Sequence, residues 1–309
     1  MIRPSFLRCY VTSKVGPSRC FRGPSALHSA SGGGKETRSK KHVPRLYVST
    51  PVTPSTGSVT LTASQSRHVK SVLRLKAGSQ VTLFDGVSGE YKGALSNGGG
   101  KSLVKVDVQQ KIRDMIERER RVSLVMCCIN RSQIKVAASK STELDASKIT
   151  FAASDNSGGN NVRAAENMIE SGKIYEVCKE ASEQCGRLDV PEIRGDVGRL
   201  KDIVGELKVK SGGTEIDESE NVDDDDDAKD VVGVCIERLE SEVLSLVAFA
   251  ADSKARDVTV IVGPEGGWSK DEIDFFNDCE WLKKVSLGSN VLRAETAAIL
   301  AVGACSSAN

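Results

Sequence analysis

The sequence predicts an α/β protein with two folded domains: a small β-barrel, followed by a largely parallel sheet covered by helices. Two patterns support this. Short alternating runs separated by turn residues occupy the region after residue 44, and longer apolar runs alternate with helical segments after residue 119. The length of 309 residues also exceeds that of one average domain. The aromatic content of 4% argues against an extensive base-stacking surface.

Residues 1–43 have the composition of a targeting segment. Basic residues begin at Arg3, Glu36 is the only acid before Lys41, and no long apolar run follows. This pattern is typical of an organellar transit peptide, with a mitochondrion as the first choice and a plastid as the alternative. A disordered basic arm that contacts nucleic acid is the other interpretation. In both cases we expect the folded chain to start near Pro44.

Residues 44–112 are predicted to form the barrel, because four short strand-like runs, 45–48, 58–62, 80–84 and 102–108, are separated by glycine-containing turns. A helix over about 64–75 interrupts them, and His68, Val69, Val72 and Leu73 could share one of its faces. Its basic residues favour contact with an RNA backbone, although a solvated helix with His68 packed at its edge fits as well. The candidate RNA-binding residues are Arg45, Arg67, Arg74, Lys76 and Arg187.

The second domain, residues 119–309, follows a charged connector, 111–121, that is predicted to be helical. We expect strands at 122–129 and 148–152, and helices at 133–144 and 162–185, the last ending at Gly186 in a left-handed cap. Beyond residue 193 the pattern breaks, and the sheet resumes at 231–236. These alternating elements predict the parallel sheet.

An acidic segment, 206–230, interrupts this domain with five consecutive aspartates, 223–227. Such a block repels itself and buries little apolar surface, so we expect a disordered surface insertion. A calcium loop would need alternating ligands and a central glycine, which are missing here. The nine cysteines form no C-x-x-C pair, which indicates core thiols in a reducing compartment and no metal site. No apolar run approaches the roughly 20 residues that span a bilayer, so no membrane role is expected.

Two glycine-containing elbows in the C-terminal block predict a small-molecule pocket. Each has an apolar strand, then a glycine where the backbone turns or approaches a ligand, then the start of a helix. The first covers 260–269 and the second 287–297. A nucleotide hydrolase is a weak alternative, because the first elbow has no lysine at the P-loop position.

The elbow motifs, Val-Gly-Pro-Glu-Gly-Gly-Trp-Ser at 262–269 and Leu-Arg-Ala-Glu-Thr-Ala at 292–297, resemble the RsmE family of ribosomal RNA uridine-N3 methyltransferases, in the SPOUT superfamily. The resemblance also includes Ser-Thr-Glu-Leu at 141–144, Glu-Gln-Cys-Gly-Arg at 183–187, Val-Leu-Arg-Leu-Lys at 72–76 and Phe-Asp-Gly at 84–86. It covers roughly residues 44–305, apart from the acidic insertion. The order and spacing of these motifs are together specific.

The resemblance implies a PUA-like RNA-binding barrel and a SPOUT methyltransferase domain with a C-terminal trefoil knot. It also implies S-adenosyl-L-methionine as the cofactor, a homodimer, and a substrate that is small-subunit ribosomal RNA or the assembled small subunit. The cofactor-binding residues it implies are Val262, Gly263, Glu265, Gly266, Gly267, Leu287, Gly288, Leu292 and Thr296.

The reaction transfers a methyl group to uracil N3, which must lose its proton before it attacks. A carboxylate base, a cation that stabilises the uracil anion, or both would help, and Glu265, Glu295 and Arg293 are the groups available beside the elbows. We take Arg293 and Glu295 as candidate catalytic residues, Arg293 for electrostatic or RNA-positioning work, and do not assign the base. Glu295 could equally stabilise the start of the next helix. Trp268 could stack on a base, although packing is the stronger interpretation because the family usually has phenylalanine there.

Two departures from the family pattern favour a second hypothesis. Asn290 stands where the family usually has an arginine, and Asn156 lies in a stretch that usually reads Glu-Arg-Ser. Loss of both arginines would weaken electrostatic contact with RNA. The alternative to the enzyme is a catalytically weak protein that binds ribosomal RNA and assists ribosome assembly.

Overall fold

The computed structural model describes residues 43–53, 55–96, 103–210, 230–237, 243–251 and 255–308. The predicted targeting segment lies outside them, apart from Val43, so that prediction stays untested. The first sheet confirms the strand runs of the predicted barrel and adds a strand at 90–96. Its five strands pair in the order β1-β3-β4-β5-β2, where β1 is Arg45–Tyr47, β2 Ser58–Thr60, β3 Gln80–Phe84, β4 Glu90–Ser96 and β5 Lys105–Arg113.

The helix of this domain is shorter than predicted. It begins after Thr62, whose side chain forms a capping box with Gln65, and α1 covers Ala63–Arg67. A π-helical turn, His68–Val72, then ends the segment. Val69 packs in the barrel core at 0% exposure, but Val72 is 66% exposed, so the predicted shared face is wrong for Val72. His68 lies on the exposed side.

The second sheet has seven strands, and every pair in it is parallel, as predicted. Its order is β10-β12-β9-β11-β6-β7-β8. The strand bounds are β6 Arg121–Cys127, β7 Ala146–Ala153, β8 Glu192–Arg199, β9 Val231–Ile236, β10 Leu244–Ser245, β11 Asp257–Val262 and β12 Lys283–Ser286.

Helices cover both faces of this sheet. Successive residues of β6 point to opposite sides, so Leu124 and Met126 enter one core while Val125 and Cys127 enter the other. This explains the continuous apolar strands. One face packs against α2 Arg131–Glu143, α3 Gly159–Glu170, α4 Lys173–Cys185, α6 Leu246–Ala250 and α8 Ala294–Ser307, the other against α5 Leu200–Lys210 and α7 Lys270–Asp278.

Four predictions for this domain need correction. The connector 111–121 is not helical: its first residues extend β5, and the rest is irregular up to β6. The single helix predicted for 162–185 is two helices, because Gly172 has a φ of 68° and breaks the helix, although Gly186 caps α4 in the left-handed conformation as predicted. Residues 206–210 belong to α5 and not to a disordered insertion, whereas 211–229 lie outside the described residues. The break predicted beyond residue 193 is wrong, because β8 and then α5 occupy that stretch; as an edge strand, β8 is polar and half-exposed, which explains its weak apolar pattern.

Buried arginines join the barrel to the parallel sheet. Arg45 of β1 pairs with Glu90 at 2.6 Å and donates to the carbonyl oxygens of Ser182, Glu183 and Arg187. Arg118, in the connector, pairs with both Asp145 and Asp189. Arg118, Arg187 and the two aspartates form one charged cluster, which we call the arginine clasp.

Asp189 of the arginine clasp predicts a loss of stability in acid. Burial alone would raise its pKa, but hydrogen bonds from Arg118 and the charge of Arg187 outweigh burial and lower the pKa from 3.8 to about 2. A lowered carboxyl pKa stabilises the fold above the unfolded value, so about 2 kcal/mol should be lost as pH falls from 4 to 2. Thermal unfolding of the wild type and of Asp189→Asn between pH 2 and neutral pH checks this loss. The variant should be less stable at neutral pH, and its stability should fall less as the pH is lowered. An equal dependence of stability on pH in both proteins would contradict the expectation.

Candidate functional site

A cleft opens at the carboxyl ends of three neighbouring strands, β12, β9 and β11. Carboxyl ends of parallel strands are where α/β sheets bind ligands. Both predicted elbows line this cleft, so the structure brings them together. Its wall consists of Cys235, Ile236, Glu237, Val262, Gly263, Pro264, Gly267, Trp268, Leu287, Gly288, Asn290, Val291, Leu292, Ala294 and Ala297.

The first elbow folds over its own tryptophan. A side chain at Gly263 would lie 3.0 Å from the indole of Trp268, so glycine is needed for this close approach. The indole Nε1 donates to the carbonyl oxygen of Cys235 at 2.8 Å, and the ring meets Phe276 edge-on at 5.0 Å. Trp268 therefore packs and ties the ends of β11 and β9 together, while one part of it still lines the cleft.

The loop after β7 supports the first elbow from outside. Asn156 Nδ2 donates to the carbonyl oxygens of Gly266 and Gly267 at 3.3 and 3.0 Å. Asp155 accepts from the hydroxyl of Ser269 at 2.5 Å, and its backbone N–H donates to Glu272, whose carboxylate also closes the capping box of α7. Asn156 therefore stabilises the conformation of the first elbow.

The second elbow depends on the backbone of Gly288. Its φ is 119°, a conformation that residues with side chains rarely adopt. Its N–H donates to the hydroxyl of Ser286 at 3.3 Å. The chain turns here so that Leu287 and Leu292 face the cleft before α8 begins. Asn290, the departure from the family pattern, also lines the cleft.

The end of β9 supplies a third wall, which the sequence interpretation missed. Cys235, Ile236 and Glu237 lie between the two elbows. Burial raises the pKa of the Cys235 thiol to about 12, so it is uncharged near neutral pH. The apolar run 231–236 gave a signal for a strand, but no local signal marked Glu237 as part of a site.

The predicted cofactor-binding residues divide into three groups. Val262, Gly263, Gly267, Leu287, Gly288 and Leu292 line the cleft. Gly266 lines an adjoining cleft that shares Glu237 and Trp268 with the first. Glu265 and Thr296 are exposed and line neither; Glu265 instead accepts a hydrogen bond from the side chain of Gln133.

The candidate catalytic residues lie beside the cleft and not in its wall. Arg293 is exposed and stands at the N-cap position of α8 without a capping hydrogen bond from its side chain. Glu295 is in the first turn of that helix, where a carboxylate interacts favourably with the helix dipole. Its Oε2 atom is buried and has no hydrogen-bond partner within the described residues.

The candidate RNA-binding residues also separate. Arg67, Arg74 and Lys76 are exposed on one segment of the barrel. Arg45 and Arg187 have side chains only 12% and 6% exposed; Arg45 joins the two domains, and Arg187 is held within the second. Arg187 donates to Asp189 and to the carbonyl oxygens of Thr142 and Ala146. The RNA-binding prediction is wrong for these two residues, because their guanidinium groups are held inside the protein.

A family model described as an RNA methyltransferase domain matches residues 117–306, which is more than half of the chain. The chain belongs to this family of RNA methyltransferases, of the RsmE type. A second model, an RNA methyltransferase PUA domain, matches residues 61–108 and confirms the PUA-like barrel. The family membership confirms the resemblance that the elbow motifs carried.

Relatives of this methyltransferase have similar full lengths. The chain is 26% identical over 258 residues to the ribosomal RNA small subunit methyltransferase E of Rickettsia conorii, covering 84% of this chain and 93% of the relative. It is 25% identical over 248 residues to the protein of the same name from Synechocystis, covering 79% and 71%.

Solved structures share its fold. A putative methyltransferase from Legionella pneumophila, solved with the bound cofactor SAM, matches with a TM-score of 0.66 and 24% identity over 85% of this chain and 97% of its own. Ribosomal RNA small subunit methyltransferase E from Neisseria gonorrhoeae, bound to S-adenosyl methionine, matches with a TM-score of 0.64 and 22% identity over 85% and 96%. The chain therefore shares the fold of these two structures, and its N-terminal domain is PUA-like. The SPOUT assignment, the knot and the homodimer stay predictions.

Proposed function

We propose that this RNA methyltransferase uses S-adenosyl-L-methionine to methylate uracil N3 in small-subunit ribosomal RNA. The observation that carries the proposal is the cleft in which both elbow motifs meet at the ends of β11 and β12. Two relatives are named ribosomal RNA small subunit methyltransferase E, which supports this substrate. The basic, serine-rich segment before residue 44 supports an organellar ribosome, first of all in a mitochondrion.

The residues of the cleft fit this cofactor. The wall combines apolar side chains with polar backbone groups, and no atom lies within 4 Å of a Cβ built on Gly288, so the backbone there is open to polar atoms of a nucleoside. Two solved relatives of the same fold hold the cofactor. Glu237 adds a carboxylate, which suits a cationic ligand. The cofactor, when bound, supplies an electrophilic methyl group on its sulfonium.

The protein must then position uracil N3 and stabilise the loss of its proton. Arg293 follows Leu292 in the cleft wall, and its exposed guanidinium can neutralise charge on a uracil anion or hold a phosphate. The unpartnered oxygen of Glu295 makes it a candidate to accept a hydrogen bond when the site is complete. A second copy of the chain would complete the site in the predicted homodimer.

Transfer of label provides the direct test. Purified protein is incubated with methyl-labelled S-adenosylmethionine and either bare small-subunit RNA or assembled subunits. We expect label in the RNA and a reverse-transcription stop one nucleotide before the product, because N3 methylation blocks the Watson–Crick edge. Absence of both label and stop would overturn the enzymatic proposal.

RNA binding without catalysis is the second candidate function, and Asn290 in the cleft wall is the observation that favours it. Binding of the cofactor separates the two candidates. A protein that binds small-subunit RNA but shows no affinity for S-adenosylmethionine would support an assembly factor. Micromolar affinity for the cofactor would support the enzyme.

The exposed basic segment of the barrel predicts a salt-dependent RNA affinity. Replacing Arg67, Arg74 and Lys76 together by alanine should weaken RNA binding and reduce the slope of log K against log salt by about two to three, because each lost phosphate contact removes roughly one released counterion. Filter binding at several salt concentrations measures this. Cofactor affinity, determined by calorimetry, should not change, and an unchanged RNA slope would contradict the assignment.

A further inference from the structure

Glu237 is the one charged side chain among the described residues that line the cleft. Its neighbours there are apolar side chains, backbone, the neutral Cys235 thiol and the amide of Asn290. The other charged residues of the elbows, Glu265, Arg293 and Glu295, lie outside the wall. The sign of the charge that a ligand meets in this cleft is therefore set by Glu237.

The position of Glu237 follows from the order of the strands. Strand β9 pairs with β11 on one side and β12 on the other, so its end lies between the two elbows. The carboxylate rests against the first elbow, where a Cβ placed on Gly267 would be 3.6 Å from Oε2. A ligand that contacts both elbows would therefore lie beside this carboxylate.

The carboxylate is also free to act on a ligand. Within the described part of the chain, Glu237 forms no hydrogen bond and no ion pair, and it is exposed. Among the described residues, no cation therefore forms an ion pair with it, and Lys284, which lines the adjoining cleft with Glu237, donates instead to Asn277. Such a carboxylate attracts a positive charge that lies within about 4–6 Å. The attraction is stronger when the bound ligand excludes water.

S-Adenosylmethionine and its product differ in one charge at the middle of the molecule. The donor carries a sulfonium between its nucleoside and amino-acid ends. During transfer the bond from the methyl carbon to uracil N3 forms, the carbon–sulfur bond breaks, and its electron pair returns to sulfur. The proton of N3 leaves to solvent or a base. The product is a neutral thioether with the same two ends.

Resting on the proposed function, we propose that Glu237 stabilises the sulfonium of the bound methyl donor and makes the cleft prefer the donor over the demethylated product. The attraction is present before transfer and is lost when sulfur becomes neutral. Glu237 thereby favours product release without contacting the uracil. A protein residue that contacts the ribose or the amino-acid end would not distinguish the donor from the product, because both molecules carry those groups.

Calorimetric titration with S-adenosylmethionine and with S-adenosylhomocysteine tests this. Glu237→Gln should weaken the affinity for the donor by about twofold to fivefold, the range of an exposed ion pair, and leave the affinity for the product unchanged. Glu237→Asp should keep part of the preference. Glu280→Gln removes an equal charge on an exposed site away from the cleft and should change neither affinity. In the wild type, higher salt should reduce the difference between the affinity for the donor and the affinity for the product.

The outcomes separate the two proposals. Equal weakening of donor and product in Glu237→Gln, or no weakening of either, would overturn the role of Glu237 while leaving cofactor binding established. A wild-type protein that binds neither ligand would overturn the proposed function and this inference with it. Sinefungin carries an amine in place of the methyl sulfonium. Its affinity should fall in Glu237→Gln as the affinity for the donor does, whereas the affinity for the product should not.

Discussion

Gly288→Val should weaken the binding of S-adenosylmethionine by roughly tenfold to a hundredfold. Gly288 has a φ of 119°, which a β-branched residue adopts only with strain of about 1–3 kcal/mol. The elbow relieves that strain by changing its turn, which moves Leu287 and Leu292 away from the cleft wall. Restoring the binding conformation then uses part of the binding free energy, and 1.4 kcal/mol corresponds to about tenfold in affinity. Calorimetric titration measures the effect.

A matched variant separates this local effect from general destabilisation. Gly57→Val introduces the same side chain at a φ of 67° in the turn before β2, where no atom lies within 4 Å of the added Cβ. It should lower the unfolding midpoint by a similar amount and leave the cofactor affinity unchanged. Equal losses of affinity in both variants would show that Gly288 acts only through overall stability.

The two elbows could be predicted from the sequence because their signals are local. A buried strand, a glycine at the turn and a helix start lie within ten residues of each other at 260–269 and 287–297. Glu237 could not be predicted in this way, because it ends a strand that follows the acidic segment and is followed by more charged residues. Its place between the elbows depends on the pairing of β9 with β11 and β12, which is a long-range property.

The role of Asn156 also depends on a long-range contact that the local sequence does not indicate. By comparison with the family pattern it suggested a lost RNA contact. In the structure its amide holds the carbonyl oxygens of Gly266 and Gly267, more than a hundred residues away in the chain. The break at Gly172 is different, since a glycine inside a helical pattern is a local signal that was available.

The arginines illustrate why charge alone does not identify an RNA-binding residue. Arg74 and Arg187 look alike in the sequence, as single basic residues near predicted helices. Arg74 is exposed, whereas Arg187 is enclosed by Asp189, Thr142 and Ala146, which come from different elements. Only the packing of the elements determines which guanidinium can meet a phosphate.

Arg187→Ala should therefore lower the free energy of unfolding by about 2–4 kcal/mol, because several partly buried hydrogen bonds are lost together. Asp189 would keep Arg118 but lose the bond at 3.0 Å, and the carbonyl oxygens of Thr142 and Ala146 would each lose one hydrogen bond. Urea unfolding at neutral pH measures the loss. Lys140→Ala, which breaks an exposed pair with Glu143, should cost only about 0–1 kcal/mol.

RNA affinity decides whether Arg187 binds RNA, as the sequence predicted, or stabilises the fold within the arginine clasp. Arg187→Lys keeps the charge but not the geometry of the guanidinium, so it should lose a large part of the stability that Arg187→Ala loses. Among molecules that remain folded at low temperature, RNA affinity in either variant should match the wild type, while Arg74→Ala should reduce it without affecting unfolding. An Arg187→Ala protein with wild-type stability and weakened RNA binding would reverse this assignment, since it would place the guanidinium of Arg187 on the RNA and not in the arginine clasp.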